Sequence, residues 1–194
     1  MKRFILLPLL PLFLTGILHA QSFNLGIKAG PQLSTFTSTS DAESVWLYHA
    51  GVFSTMNISE RFQAQAEVLL SASGVDDKET DYYKQRHLYL NVPLTVKFKV
   101  FNRLSVHAGA QFGYLMDAKL KITEGDDKGK YDRKDLFNKT EIAWIAGAEY
   151  MIGNRLSVGI RVNRAFTKLA KDYDDPRQNV EQIFLAYRLF GASY

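Results

Sequence analysis

The 194-residue chain has no cysteine, which excludes disulfides, thiolate metal centres and a lipid-modified N-terminal cysteine. Beyond its first twenty residues it has no apolar run approaching the ~20 residues that a membrane-crossing helix needs. It has no block of one charge sign either. Its 24 Lys and Arg stand against 20 Asp and Glu, and the two signs alternate along the chain, so the electrostatic footprint of a nucleic-acid partner is missing. No motif ties a serine to a histidine and an acid. If such a chain enters a membrane, it does so as a closed β-barrel, because only helices and closed barrels satisfy every backbone amide in lipid.

What is present begins with Met1-Lys2-Arg3, an apolar stretch from Phe4 to Leu18 interrupted by Pro8, Pro11, Thr15 and Gly16, and then His19-Ala20. A basic start, a short apolar run and a small residue predict a secretory signal peptide over residues 1–20, cleaved after Ala20. The competing possibility is an uncleaved anchor, for which the run is too short. Removing the leader takes two basic residues and no acid, so the formal charge falls from +4 to +2. The remainder, 21–194, fits a single domain.

The body of the chain alternates with period two, the signature of a strand with two unlike faces. The strongest case is Leu88 to Tyr114. Leu88, Leu90, Val92, Leu94, Val96, Phe98 and Val100 are separated by Tyr89, Asn91, Pro93, Thr95, Lys97 and Lys99. After Phe101-Asn102-Arg103 the pattern resumes, with Leu104, Val106, Ala108, Ala110, Phe112 and Tyr114 opposite Ser105, His107, Gly109, Gln111 and Gly113. Eight such segments are predicted, the others near Phe23–Gln32, Trp46–Met56, Phe62–Ser71, Thr140–Ile152, Arg155–Phe166 and Gln182–Leu189. Short links (57–61, 101–103, and Gly153-Asn154, where Gly and Asn would tolerate positive φ) alternate with longer polar ones: Ser34 to Ser44, Val75 to Arg86, Ile122 to Lys139 and Lys168 to Gln178. This is the layout of an eight-stranded antiparallel up-and-down transmembrane β-barrel with short periplasmic turns and longer extracellular loops. Asn102-Arg103-Leu104-Ser105-Val106 recurs as Asn154-Arg155-Leu156-Ser157-Val158, and Glu60-Arg61-Phe62 holds the equivalent place, so the repeat marks hairpins.

Alternation does not say which face looks inward. A soluble secreted barrel binding a small apolar ligand would put the apolar face inside. The polar faces here are small and hydrogen-bonding, suited to a crowded interior. The apolar faces carry Trp46, Tyr48, Phe112, Tyr114 and Trp144 toward the long loops and Phe23, Phe62, Phe98, Tyr150 and Tyr187 toward the turns, two girdles of the kind that flank a bilayer. Outer-membrane lipid is then the outward partner. Lys28, Glu67, Lys97, Lys99, Glu141, Glu149, Arg161 and Arg188 would point into the lumen as a structural polar network. An eight-stranded barrel is just wide enough for side chains to fill, so the charges are expected to pair as a plug; the alternative is a narrow porin-like channel.

Four stretches, Gly26-Ile27-Lys28-Ala29-Gly30, Ala66-Glu67-Val68-Leu69-Leu70-Ser71, Leu90-Asn91-Val92-Pro93-Leu94 with Lys97, and Ala186-Tyr187-Arg188-Leu189-Phe190, resemble the PorT-like outer-membrane β-barrel domain family, the "porin family proteins" of Bacteroidota. The resemblance covers essentially all of 21–194. It implies a cell outer membrane location and assembly by the barrel-assembly machinery through a C-terminal aromatic strand. Where that family usually has an acid before the Val-Pro or Ile-Pro step, this chain has Asn91. Pro93, unwelcome in a paired strand, is expected from its place in that pattern to sit at a bulge facing the lumen.

Chemistry is thin. His49 and His107 fall mid-strand, and His87 lies at a loop edge near Glu79 and Asp81; none suggests a nucleophile–base pair, so no catalytic, cofactor-binding or metal residue is assigned and the protein is expected not to be an enzyme. Glu124-Gly125-Asp126-Asp127 could offer oxygens to calcium but lacks a known spacing. The external loops mix acids, bases and tyrosines (Asp81-Tyr82-Tyr83-Lys84, Tyr131-Asp132-Arg133). Because loops on rigid scaffolds commonly carry binding, an extracellular ligand at the loops is the leading functional expectation, with a purely structural role beside it.

Overall fold

The computed structural model describes residues 23–37, 42–77, 83–122, 129–132, 136–168 and 177–191. The leader, Glu79, Asp81 and Glu124 to Asp127 lie outside them. The alternating segments form β1 (Phe23–Phe36), β2 (Ala42–Asn57), β3 (Phe62–Asp77), β4 (Tyr83–Lys99), β5 (Leu104–Ile122), β6 (Gly129–Asp132), β7 (Thr140–Met151), β8 (Leu156–Ala165) and β9 (Gln178–Phe190). All pairings are antiparallel. The order β4-β3-β2-β1-β9-β8-β7-β5 is closed by β4 on β5, so eight strands make a barrel without edges. The ninth strand, β6, lies in what the sequence presents as a loop and pairs with the outer end of β5, Lys119 to Ile122.

The repeated sequence has a repeated geometry. In the three short turns the amides of Ile58, Val100 and Ile152 donate to the carbonyls of Phe62, Leu104 and Leu156 at 2.9 Å each. The carbonyls of Arg61, Arg103 and Arg155 in turn accept from the amides of Lys99, Met151 and Arg188 at 2.9, 2.8 and 2.9 Å, so each turn is stapled to a strand of the neighbouring hairpin. Gly153 does not take the expected positive φ; among the described glycines only Gly191 does, at 118°.

Through most of their length the strands are apolar outside and polar inside. Leu94, Val96, Ile160 and Leu185 are 47, 50, 61 and 54% exposed on the outer wall, whereas Lys28, Glu67 and Arg161 are 1–2% exposed within. A continuous apolar belt of this extent is unstable in water and belongs in acyl chains. The soluble inside-out barrel is therefore excluded. Both aromatic girdles lie on this wall, Trp46, Tyr48, Phe112, Tyr114 and Trp144 near one end and Phe23, Phe62, Tyr150 and Tyr187 near the other.

Pro93 makes no bulge. The β3–β4 register is the same on both sides of it, Ala66 with Leu94 and Leu69 with Asn91; only the two pairings between them, at Pro93 and Val92, lapse, where Pro93 has no N–H to give. The irregularity lies further out. Leu88 faces Asp117 but Tyr89 faces Leu115, so β5 carries one extra residue at Met116, which shifts the inward phase of that strand.

The strands are also longer than their alternation suggests. β2, β3, β4 and β5 have 16, 16, 17 and 19 residues against 12, 10 and 13 in β7, β8 and β9. A tilted strand needs only ~9–11 residues to cross a bilayer. One side of the barrel wall therefore continues well past the membrane, through residues that read as loop.

Candidate functional site: the barrel lumen, its outer cap and its inner mouth

Three layers fill the barrel. At the middle, β1, β3 and β8 bring Lys28, Glu67 and Arg161 together. Glu67 accepts from Lys28 Nζ at 2.8 Å, from Arg161 Nη1 and Nη2 at 3.1 and 2.5 Å, and from Gln65 Nε2 at 2.5 Å. One carboxylate thus joins two buried cations, and the forked guanidinium contact supplies the geometry a buried ion pair needs to offset desolvation. Arg161 Nε also donates to His107 Nε2 at 3.2 Å. The Phe184 ring lies 4.3 Å from Lys28 Nζ and 5.6 Å from the Arg161 guanidinium carbon, adding cation–π contact. Room for two rings comes from two glycines. A Cβ on Gly159 would stand 2.3 Å from Phe184 Cζ, and one on Gly26 2.4 Å from Phe53 Cζ. Beside this layer Gln32 donates to Ser71 Oγ and accepts from Gln182, both at 2.9 Å.

Toward the outside the lumen changes character. Phe36, Val75, Tyr89, Leu115, Ala118 and Phe137 form a buried apolar cluster. His87 is enclosed with them, its ring 4.6 Å from that of Phe137 and 5.9 Å from that of Phe36, and its Nε2 lies 3.0 Å from Gln85 Nε2. Phe137 comes from the long connection after β6, which is pinned where the Leu115 amide donates to the Lys139 carbonyl at 2.8 Å. The extracellular end is stoppered by a phenylalanine from a loop.

Toward the turns, Lys97 Nζ meets Glu149 Oε2 at 2.5 Å and Ser157 Oγ donates to Glu149 Oε1 at 2.6 Å. Arg188 donates to the Asn154 carbonyl. Lys99 is half-buried and lines this mouth with Arg103.

All eight charged residues expected inside lie on the inner face, but in different company. Lys28, Glu67 and Arg161 share one cluster and Lys97 and Glu149 another. Lys99 and Arg188 stand at the inner mouth, and Glu141 sits in the outer half opposite Gly113. Phe36, Phe137, Phe184 and the Gln32–Ser71–Gln182 relay were not assigned from sequence. Phe184 had a signal, as the lone large apolar residue on the polar face of its strand; Phe137, in a charged loop, had none. His49 is buried with neither ring nitrogen partnered among the described residues.

With this geometry in hand, three comparisons bear on kinship. A family model described as "outer membrane protein beta-barrel domain" matches residues 19–171. Among solved structures, the chain is similar to Ail, the attachment invasion locus protein of Yersinia pestis, in complex with the heparin analogue sucrose octasulfate: TM-score 0.54, 16% identity, 86% of this chain and 99% of that one. It is similar also to Neisserial surface protein A: TM-score 0.52, 10% identity, 87% and 99% coverage. At those identities the likeness is one of fold. No curated protein matches the sequence.

Proposed function

The chain belongs to the outer membrane protein β-barrel domain family and resides in the outer membrane, and from that premise we propose that it is a closed, non-conducting scaffold that presents an extracellular rim for binding. The observation that carries this reading is the double obstruction of the lumen: the Lys28–Glu67–Arg161–Phe184 layer, with side chains at 0–1% exposure, and the Phe36–Tyr89–Phe137 cap above it. A route for solute would have to dismantle both. The rim offers exposed cations among acids, Lys119 being paired with Asp117. Lys119, Lys121, Lys139, Lys168 and Arg177 are exposed at or near the outer strand ends, which suits a polyanionic surface ligand, and sulfated glycan is the first probe to use.

The four segments that resemble the PorT-like family support placing the chain in that branch, and β9, ending in Phe190, is the strand we assign to the barrel-assembly machinery. We read the protein as non-enzymatic: Ser71 is bonded to Gln32, Ser157 to Glu149 and His107 to Arg161, structural partners and not one another, while His49 is buried without a partner among the described residues. Replacing Lys119, Lys121, Lys139, Lys168 and Arg177 with Gln should leave heat-modifiable migration of the folded barrel intact while abolishing binding to immobilised sulfated glycan; binding that survives the replacement refutes the rim assignment. Liposome swelling tests closure, and solute flux through the wild-type protein counts against it.

A further inference from the structure

The inner mouth carries a charge imbalance that the filled lumen does not explain. Two narrow clefts of about 20 Å³ each flank the Lys97–Glu149 pair and are lined by Lys97, Lys99, Arg103, Arg155 and Arg188 with Glu149 as the one acid. That acid is already engaged by Lys97 and Ser157. The Arg103 and Arg155 side chains hold no acid among the described residues. Both belong to the repeated turn, whose carbonyl staples tie Arg103 to Met151 of β7 and Arg155 to Arg188 of β9, so the repeat places equivalent arginines at neighbouring hairpins, one at each cleft. A second observation comes from β1. Asn24 lines the cleft beside Arg155 and Arg188, is 1% exposed, and has neither amide atom partnered among the described residues. A buried carboxamide normally finds partners, and one beside arginines offers an N–H donor toward an anion.

We propose that the periplasmic mouth is an oxyanion site for a phosphate group, held by Arg155 and the Asn24 amide at the cleft they both line. The cations inside a low-dielectric rim focus potential toward the periplasm, and guanidinium forks match the oxygens of phosphate. Clefts this narrow exclude a sugar ring or a base, so the group is bound by its oxygens with the rest of its carrier outside. Two carriers share that chemistry: a free phosphate and the headgroup of a phospholipid in the periplasmic leaflet.

The test uses the full-length protein in dodecyl maltoside micelles, which hold no phosphate, titrated with inorganic phosphate and pyrophosphate by calorimetry and by the NMR signal of the Asn24 side-chain amide. Saturable one-site binding is expected, weakened at least tenfold in the R155Q variant while heat-modifiable migration is unchanged. If that variant does not refold, Asn24→Asp, which replaces the donor with an acid, provides the same expected loss. Nanodiscs containing phosphatidylglycerol distinguish the carriers: competition with added phosphate assigns the site to the headgroup, and undiminished phosphate binding assigns it to the free ion. No saturable binding, equal binding by the variants, or the same response to chloride at matched ionic strength overturns the proposal.

Discussion

The membrane-crossing part of the barrel and its outward extension obey opposite rules with one continuous backbone. In the crossing part Leu94, Val96 and Ile160 face out while Lys28, Glu67 and Arg161 face in; above it Lys119 and Lys121 face out while Phe36, Val75, Leu115 and Ala118 face in. The inversion follows from solvent alone. In lipid the outer wall must be apolar, and the interior holds charges only by pairing them; in water the same wall must be polar and the interior can be an ordinary apolar core. What joins the two is β5, whose extra residue at Met116 shifts the inward phase where the rule changes. A barrel of this kind is two cores stacked on one axis, one electrostatic and one hydrophobic.

The contrast is broken most severely at Glu67. Glu67→Ala leaves Lys28 and Arg161 buried without their shared acid, a loss of about 3–5 kcal/mol for a broken buried pair, read as a fall in the urea midpoint of the folded barrel in detergent. The lower core should feel this and the upper should not. Adding Arg161→Met to Glu67→Ala should recover part of the loss by removing one stranded cation. If the double variant is no more stable than the single, the middle layer is not held by charge pairing.

How much of this was legible in the residues follows from the same inversion. The crossing segments announce themselves because apolar and polar residues alternate strictly, and that alternation puts the eight charges on the polar face of their strands. The extension is hidden for two reasons. Its outward residues are Lys, Asp, Ser and Thr, so Ser34 to Ser44 and Val75 to Arg86 read as loop although β1 runs to Phe36, β3 to Asp77 and β4 from Tyr83. The bulge at Met116 then shifts the phase, so Ala118 points in where continued alternation would turn it out. Pairing is hidden for a different reason. Lys28 lies 39 residues from Glu67, and Glu67 lies 94 from Arg161; which charges meet depends on strand stagger around the closed barrel, a global quantity that no single strand contains.

The hydrophobic core is the target of the next test. Phe137→Ala removes the loop ring that closes the outer end against His87 and its neighbours, with a cost of about 3 kcal/mol for a buried aromatic. The loss should stay local: hydrogen exchange should speed up at Leu115, whose amide is bonded to Lys139, and stay slow at Ile145 and Ile160, whose ladders do not involve the cap. Uniformly faster exchange would show that the two cores unfold as one.

The boundary between the rules can be located by exchanging polarity on the outer wall. Ile160→Lys puts a charge at mid-bilayer and should cost about 2 kcal/mol. Lys121→Leu, in the extension, should change stability by less than about 0.5 kcal/mol, as for ordinary surface positions. Unfolding of both variants in the same lipid measures the difference directly. Should Lys121→Leu stabilise the barrel by more than Ile160→Lys destabilises it, lipid would reach the extension and the two-solvent account would fail.

Arg164 and Glu181 mark the seam. They pair on the outer wall at 2.8 Å with side chains 31 and 55% exposed, near Trp144, which faces Arg164 across the β7–β8 ladder. A pair at the headgroup level stays hydrated and is worth about 0–1 kcal/mol. A pair deeper in acyl chains would leave Glu181 stranded when its partner is removed. Arg164→Gln should therefore lower stability by less than about 1 kcal/mol, and the loss should shrink further as salt is raised, because exposed charges are screened. A loss of several kcal/mol that salt does not change would put the seam below hydrocarbon, and the boundary would have to move outward along β8 and β9 toward Phe166 and Gln178.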